Sequence, residues 1–427
     1  MSIWTEEQRK QIAQWCLSAV LFLLPWQTQW ISSWITIQDV PIPFGKISLY
    51  LVELIVLLLL FLRGQPQLSI RGDKAARALY VLFAAGFLSL TFADQYQLGL
   101  FQLLHLVTAG GLFVTLIDKR TNTHLVMTWF LAGLFIPILL GWFQITTATS
   151  PASSWFGLSS QDASLPGVSV IETAQGRSLR AYGSFPHPNI FGGYLAVAIV
   201  CLAWLIKFTD KKYERFLWIP TVLLTSTLLI TFSRGAWLGL TVSFLLLASL
   251  MWKRKRVPPK HAKTLLIVAA VTVFGTVLLF QDQFFARFNP SLRVESISIE
   301  ERTSQYGMFK TTFLSRPIVG VGPGGYVFAS DKLFPDQPVW SIQPVHNTPL
   351  LILAELGLLG FAAFFFFLVR IDQINSAVSK TPGGMFGLML GVCLLVISLF
   401  DHYLWSFWPG LALAAISLGF IVKWSEE

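Results

Sequence analysis

Three residues of this sequence combine a reactive side chain with a position that suits chemistry. Arg234 lies in the string FSRGAW at positions 232–237, and His346 stands where a polar loop enters the apolar run 350–359. Arg302 lies on a segment that is amphipathic at helical spacing. An arginine stays charged at physiological pH, and a neutral histidine accepts a proton near neutral pH. A cation and a possible base are therefore expected to face the same aqueous compartment.

Each of these residues also has an interpretation without chemistry. Arg234 could reach the lipid headgroups from the end of a span, as arginines at helix ends commonly do. Arg302 could be a solvated residue paired with Glu300 or Glu301. His346 could be a hydrogen-bonded histidine between packed helices. The position of Arg234, on a face whose short loops otherwise lack positive charge, favours the functional interpretation.

The composition indicates a membrane protein. Of 427 residues, 54% are hydrophobic and 12% are charged, and the mean hydropathy is +0.63. Such a chain exposes too much apolar surface for water, and no soluble domain of any size is left over. We predict an all-α fold, a single integral membrane domain over residues 1–427 with about twelve transmembrane helices. The predicted spans are Ile12–Trp30, Ile47–Leu62, Ala76–Phe92, Leu98–Ile117, His124–Ile145, Pro188–Phe208, Leu217–Thr231, Ala236–Trp252, Thr264–Phe280, Thr348–Val369, Gly384–Phe400 and Pro409–Val422.

A basic loop follows every even-numbered span up to the eighth. The loop residues are Arg63, Arg71, Lys74 and Arg77, then Lys119 and Arg120, then Lys207 to Arg215, and then Lys253 to Arg256 with Lys260 and Lys263. Positive loops face the cytoplasm, so both termini are expected there. This asymmetry and attraction to anionic lipid explain the net charge of +9, and no nucleic-acid partner is needed. All three cysteines fall within predicted spans, which suggests neither a disulfide framework nor a zinc site.

Two long segments, 146–187 and 281–346, interrupt the pattern of short loops. The span count puts both outside the cytoplasm, where long loops on one face of a helical bundle usually build sites. We expect the larger loop to carry short amphipathic helices, one of them over 296–315. The residues of this segment that share one helical face are Arg302, Tyr306, Phe309 and Phe313.

Several short strings follow one another between residues 180 and 360. They are RAYGSFPHPN at 180–189, SRGAW at 233–237, ER at 301–302 ahead of PIVGVGPG at 317–324, and HN at 346–347 followed by LAELG at 353–357. In their order, their spacing and their predicted position on one side of the membrane, these strings resemble those of the bacterial O-antigen ligase and polymerase family. Members of that family are inverting, metal-independent membrane glycosyltransferases. They move a glycan from undecaprenyl diphosphate to an acceptor hydroxyl on the outer face of the inner membrane.

The resemblance implies roles for the three reactive residues. Expulsion of a lipid diphosphate gathers negative charge on phosphate oxygens, which fixed cations or a metal must stabilise. By resemblance, Arg234 and Arg302 bind the diphosphate, and His346 is the candidate base for the acceptor hydroxyl. Asn347 can cap the following helix, whose positive end would disfavour the imidazolium. Neither a metal nor a cofactor is expected, since the outer face offers no clustered aspartates.

Further residues are expected to line the substrate site. The string DHY at 401–403 either binds sugar hydroxyls or forms a polar corner. Gly322 and Gly324 belong to a turn that can approach phosphate but does not match the phosphate-loop signature. Arg180 and His187 either line the cavity or only shape a helix entry. The predicted substrate-binding residues are Arg180, His187, Asn189, Gly322, Gly324, Tyr306, Asn347, Asp401 and His402.

Two carboxylates within predicted spans leave a second class of function open. Glu53 and Glu355 are expensive in hydrocarbon and are expected to pair with an arginine or lysine. Carboxylates inside about twelve spans also suit a secondary transporter of a small solute or anion, although no internal repeat is evident. A non-catalytic scaffold for cell-envelope assembly would explain the spans but not the basic outer loop.

The preferred prediction is a multi-pass glycosyltransferase of the bacterial inner (plasma) membrane, with its site facing the periplasm or cell exterior. Its expected partners are an undecaprenyl-diphosphate-linked glycan donor, a lipid or glycan acceptor, and membrane lipid. A ligase, a polysaccharide polymerase and a protein O-glycosyltransferase all remain open, because they share donor and leaving group and differ only in the acceptor.

Overall fold

A computed structural model describes residues 5–206, 209, 211–214, 216–255, 260–378 and 380–426, and shows them as a bundle of helices. Lys207, Arg215 and Arg256 of the predicted basic loops lie outside these residues. The helices are α1 Glu6–Leu23, α2 Leu51–Arg63, α3 Ile70–Leu90, α4 Tyr96–Ile117, α5 Thr123–Gly133, α6 Phe135–Thr147, α7 Pro188–Leu205, α8 Lys211–Glu214, α9 Trp218–Ile230, α10 Arg234–Lys253, α11 Lys260–Leu279, α12 Gln281–Phe288, α13 Arg293–Ser315, α14 Tyr326–Leu333, α15 Thr348–Ser376, α16 Pro382–Phe400, α17 Tyr403–Ser406 and α18 Trp408–Trp424.

Each predicted span overlaps a helix in the described part of the chain, which confirms the all-α prediction. Lys207 and Phe208, at the end of the sixth predicted span, lie outside the described residues. The predicted fifth span is formed by α5 and α6 together. Seven helical segments among the described residues are long and apolar enough to cross a membrane, and α9 and α18 are shorter apolar helices. The chain is therefore a multi-pass membrane protein. The seven segments are Tyr96–Ile117, Thr123–Thr147, Pro188–Leu205, Arg234–Lys253, Ala262–Leu279, Thr348–Ser376 and Pro382–Phe400.

A β-hairpin joins the first two helices. Strand β1, Gln29–Ile37, pairs antiparallel with β2, Val40–Tyr50. The predicted ends of the first span at Trp30 and of the second at Ile47 are therefore wrong, since both residues lie in strands. The reason is local: β1 is rich in β-branched and aromatic residues, and the two prolines of β2 cannot continue a helix interior.

The two long connections fold into small elements at one end of the bundle. Segment 281–346 contains α12, α13 and α14, and segment 146–187 contains the paired strands β3–β4 and β5–β6. These strands are β3 Thr149–Ser150, β4 Gln161–Asp162, β5 Val170–Thr173 and β6 Gly176–Leu179. Helix α13 confirms a helix over the predicted segment, but the residues predicted to share one apolar face have different surroundings. Phe309 and Phe313 stack with their ring centroids 5.9 Å apart and pack against the core, whereas Tyr306 is 49% exposed.

The glycine-rich turn packs into a break in α15. Gly357 has φ 65°, which interrupts the helix, and the backbone N–H of Gly322 donates to the carbonyl of Glu355 at 2.9 Å. Gly322 itself has φ 97°, and a Cβ there would lie 2.3 Å from Cβ of Ala93. Only glycine meets both constraints at position 322. The turn therefore has a structural function in joining segment 281–346 to α15.

The alternating basic loops lead to a prediction about sidedness. In a cysteine-free background, a cysteine at exposed Asp336 should react with an impermeant maleimide in intact cells, because 281–346 is expected outside. A cysteine at exposed Lys253 should react only after permeabilisation. Labelling at 253 but not at 336 in intact cells would reverse the orientation and remove the proposed site from the outer face.

Candidate functional site

Three arginines line one cavity of about 190 Å³ where α10 begins and α16 ends. Arg234 comes from α10, Arg287 from α12 and Arg302 from α13. Asn189, at the start of α7, and Asp401, just after α16, line the same cavity. The structure thus brings together four predicted site residues from distant parts of the chain and adds Arg287.

The backbone around Arg234 turns sharply into α10. Buried Phe232 has φ 50°, a left-handed conformation that is unusual for a bulky residue. Ser233 is the N-cap of α10, but its side chain makes no capping hydrogen bond. Ser233, Arg234, Gly235 and Ala236 all line the cavity. The first turn of α10 therefore presents backbone N–H groups without a side-chain cap beside the cavity, an arrangement that suits an anion.

One buried carboxylate holds two of the arginines. Glu295 Oε2 lies 3.0 Å from Arg234 Nη1, and Glu295 Oε1 pairs with Arg287 Nη1. Arg287 is 7% exposed and also donates from Nε to the carbonyl of Phe232 at 3.2 Å. Arg302 has no acidic partner within 4.0 Å among the described residues. The cavity therefore carries excess positive charge.

Sequence reasoning missed Arg287 and Glu295. Helical periodicity does not connect them, because they lie on two helices, α12 and α13, that are separated by a turn at 289–292. The sequence has no signal that singles out this pair, because Arg293 lies between the two residues and other charged residues follow closely. Both residues are buried because the fold packs α10 against α12, which is a tertiary contact.

Arg180 and His187 shape the wall behind the cavity, and neither lines it. Arg180 Nη2 donates to Asn189 Oδ1 at 2.7 Å, and Asn189 Nδ2 donates to Asp401 Oδ2 at 2.7 Å. His187 caps α7, since its Nδ1 accepts the backbone N–H of Asn189 at 3.1 Å, and its Nε2 lies 3.0 Å from Ser169 Oγ. Burial and the neighbouring Arg180 lower the pKa of His187, so its ring is neutral near pH 7.

His346 is held by a single amide oxygen. Its Nδ1 lies 2.7 Å from Gln305 Oε1, and its backbone N–H donates to the same oxygen at 3.3 Å. An amide oxygen only accepts, so we assign the ring proton to Nδ1, which leaves the lone pair on Nε2. Burial lowers the pKa of His346, with Arg302 acting in the same direction and Asp401 against it. The ring is therefore neutral and able to accept a proton.

His402 packs directly against His346. Their ring centroids are 5.0 Å apart in an edge-to-face arrangement, and His402 Nδ1 lies 2.7 Å from Ser406 Oγ. Asp401 fixes this corner, because its carbonyl accepts the hydroxyl of Thr348 at 2.8 Å at the start of α15. Burial, with His346, lowers the pKa of His402 as well. The corner 401–402 is thus a packed connection between the cavity and His346.

Two other predicted substrate residues have different surroundings. Asn347 caps α15 as predicted, since its side chain accepts the backbone N–H of Leu350 at 3.0 Å. Its amide nitrogen donates to the carbonyl of Leu399 at 3.2 Å. Tyr306 does not line the arginine cavity. The structure therefore gives Asn347 a clear structural function and leaves Tyr306 at the surface.

Among the described residues, Glu53 and Glu355 do not pair with arginine or lysine, which corrects the prediction for both. Glu355 Oε2 accepts the backbone N–H of Gly324 at 2.9 Å and the indole N–H of Trp405 at 2.7 Å. Glu53 Oε1 lies 2.7 Å from Nδ1 of His105. Backbone, indole and imidazole nitrogens bind these carboxyl groups, because the fold brings them close where no lysine or arginine of the described residues lies within 4.0 Å. Gly324 is therefore not a residue of the arginine cavity.

Comparison with protein families gives one match. Residues 219–365 match the family model described as O-antigen ligase. The matched segment contains the three cavity arginines together with Glu295 and His346. A search of curated proteins returned no match.

Proposed function

The match over residues 219–365 supports assigning the chain to the O-antigen ligase and polymerase family, and from this premise we propose a specific reaction. The protein transfers a glycan from undecaprenyl diphosphate to an acceptor hydroxyl, with inversion at the anomeric carbon and without a metal. Glycan transfer of the O-antigen ligase or polymerase type follows from the family. The donor, the stereochemistry and the residue roles are the proposal.

The observation that carries this proposal is the convergence of Arg234, Arg287 and Arg302 on one cavity beside the start of α10. A departing diphosphate gains negative charge as the bond to the sugar breaks. The guanidinium group of arginine binds two phosphate oxygens at once. The backbone N–H groups at the start of a helix also bind phosphate oxygens. Because these donors are fixed before the reaction, they stabilise the transition state without reorganising.

The acceptor hydroxyl then needs a base, and His346 meets the requirement. The hydroxyl oxygen attacks the anomeric carbon and forms the new glycosidic bond, while the bond to the diphosphate oxygen breaks. The hydroxyl proton passes to Nε2 of His346, and the bonding electron pair leaves with the diphosphate, which the arginines bind. Gln305 keeps the proton on Nδ1, so Nε2 is the atom left to accept.

The charge of the cavity supports metal independence, because three guanidinium groups supply the cations that the leaving diphosphate needs. A second feature supports the outer location. The cavity is built at the bundle end that carries segment 281–346, which the basic loops predict to lie outside the cytoplasm. The transporter alternative rested on Glu53 and Glu355, and hydrogen bonds within the protein account for both.

The glycans of a deletion strain test the proposal in cells. Loss of the protein should leave lipid-linked glycan unconsumed and reduce the matching surface glycan. Long chains stranded on the carrier would identify a ligase, whereas single unpolymerised units would identify a polymerase. A deletion strain with unchanged lipid-linked and surface glycans would contradict the proposed reaction.

Gln305 leads to a prediction about the proton position. Replacing it with leucine removes the acceptor for Nδ1–H, and we expect about a tenfold loss of transfer, because one buried hydrogen bond of about 1–1.5 kcal/mol orients the ring. Gln305→Glu keeps an oxygen acceptor and adds a negative charge, which should raise the pKa of His346 and move the acidic limb of the pH profile upward.

The matched control is Thr303→Ala, at an exposed position on the same helix, which should leave rate and pH profile unchanged. An unshifted acidic limb in a folded Gln305→Glu protein would show that Gln305 does not act through His346.

A further inference from the structure

A second cavity contacts the His346–His402 pair through two of its lining residues, although neither histidine lines it. It has a volume of about 50 Å³ and includes Ser406, whose hydroxyl lies 2.7 Å from Nδ1 of His402. Phe44, another lining residue, has its ring centroid 5.7 Å from that of His402. Neither Ser406 nor Phe44 lines the arginine cavity. The two histidines therefore have an arginine-lined cavity and a second, separate cavity as neighbours.

The second cavity combines aromatic rings with polar side chains. Phe44 and Phe407 form one wall, with their ring centroids 5.4 Å apart. Lys46, Gln102 and Ser406 supply donors and acceptors. Glu355 lines the cavity as well, but its Oε2 already accepts the backbone N–H of Gly324 and the indole N–H of Trp405. Rings that cover an apolar face and a few convergent polar groups are the features of a site for a small polar ligand with a flat apolar side, such as a sugar ring.

Lys46 is the cation of this cavity. Among the described residues no carboxylate oxygen lies within 4.0 Å of its ammonium group, and its Nζ lies over the ring of Tyr50 at 5.9 Å from the ring centroid. Burial lowers the pKa of Lys46 to about 8. A half-buried ammonium without an anion is stabilised by an acidic ligand, which would restore its pKa.

We propose that this second cavity binds the acceptor sugar, and that Lys46 contacts an acidic group, a carboxylate or phosphate, carried by that sugar. The inference rests on the proposed transfer reaction. Displacement with inversion requires the acceptor hydroxyl to approach the anomeric carbon from the side opposite the departing diphosphate. A second cavity that contains none of the three arginines, and that connects to the base only through Ser406 and His402, is compatible with that requirement when the attacking hydroxyl lies on the part of the acceptor outside the cavity. The volume holds the acidic group and one edge of a ring, and the rest of the acceptor lies outside.

Chemical protection of Lys46 tests the site directly. The full-length protein in lipid nanodiscs is acetylated at pH 8 with a water-soluble active ester, and the acetylation rates of Lys46 and of exposed Lys310 are followed by mass spectrometry. Methyl glucuronide should slow acetylation of Lys46 at least threefold and leave Lys310 unchanged. Neutral methyl glucoside should protect far less. Equal protection by the two glycosides, or none by the glucuronide, would overturn the proposal.

Inorganic phosphate distinguishes a sugar site from a simple anion site. If phosphate protects Lys46 as well as the glucuronide does at the same concentration, the cavity binds anions without recognising a sugar, and the proposal fails. Weaker protection by phosphate is the expected result, because the aromatic wall contributes nothing to its binding.

Kinetics separate this inference from the proposed function. Lys46→Met should raise the acceptor concentration needed for half-maximal transfer about tenfold, with the value for the donor unchanged, since one charged contact is lost. Lys310→Met should change neither. If Lys46→Met instead raised the donor concentration needed for half-maximal transfer, Lys46 would belong to the donor site and the inference would be overturned. Absence of transfer by the wild-type protein would reject the proposed function, while the protection experiment would still decide the sugar site.

Discussion

Replacing His346 with alanine should lower glycan transfer by roughly 100- to 10,000-fold, the range expected for a missing general base. Donor binding should survive, because the residues proposed to bind the diphosphate lie in the arginine cavity, which His346 does not line. The measurement is transfer by purified protein, with donor binding followed separately. Gln343→Ala is the matched control, since Gln343 lies three residues away in the same loop and its side chain donates to the carbonyl of Trp340 within that loop.

The pH profile separates catalysis by His346 from packing. The neutral imidazole is the proposed active form, so the rate should fall as pH decreases through its pKa. Burial lowers that pKa below its ordinary value of 6.5, so the acidic limb should lie below pH 6.5. The limb should be absent from the residual activity of His346→Ala. Full turnover by His346→Gln, or an unchanged acidic limb in the alanine variant, would remove His346 from the mechanism.

Replacing Arg234 or Arg302 with alanine should reduce the transfer rate roughly 30- to 1000-fold, equivalent to about 2–4 kcal/mol of transition-state stabilisation. The physical reason is the loss of a charge-assisted contact to the leaving diphosphate. Lysine should rescue only in part, because it keeps the charge but loses the two-pronged geometry. Arg293→Ala is the control, since Arg293 is on the same helix as Arg302, its side chain is 67% exposed, and it pairs with Glu172.

The three cavity arginines should differ in their effect on folding. Arg234→Ala leaves Glu295 paired with Arg287, and Arg302→Ala leaves no carboxylate unpaired, so both variants should fold. Arg287→Ala removes the buried partner of Glu295 and should destabilise the protein by about 3–5 kcal/mol. Normal transfer by folded Arg234→Ala and Arg302→Ala proteins would contradict the assigned diphosphate site.

The sequence was sufficient for the membrane fold because long apolar runs can satisfy their backbone groups only as helices. It was insufficient where short-range signals compete. The hairpin β1–β2 lies between two apolar helices, and the predicted spans wrongly included part of each strand. Residues of the candidate site that lie at helix starts, such as Arg234 and Asn189, were predictable from strings and caps.

Contacts between distant segments were not predictable from local patterns. Glu295 pairs with arginines from α10 and α12, and Gln305 reaches His346 across 41 residues. Neither contact has a periodic signal, because each depends on how α13 lies across the end of the bundle. The prediction of cationic partners for Glu53 and Glu355 was wrong for the same reason. No sequence pattern identifies which backbone, indole or imidazole nitrogens will donate to a given carboxylate.

Transfer by the purified full-length protein tests the central claim most directly. The protein in nanodiscs is given undecaprenyl-diphosphate-linked glycan and its acceptor, with EDTA and without ATP, and the product linkage is determined. The account predicts that donor is consumed, undecaprenyl diphosphate is released, and the new linkage has the anomeric configuration opposite to that of the donor. Loss of transfer on chelation, or a product that retains the configuration of the donor, would contradict the arginine and histidine mechanism.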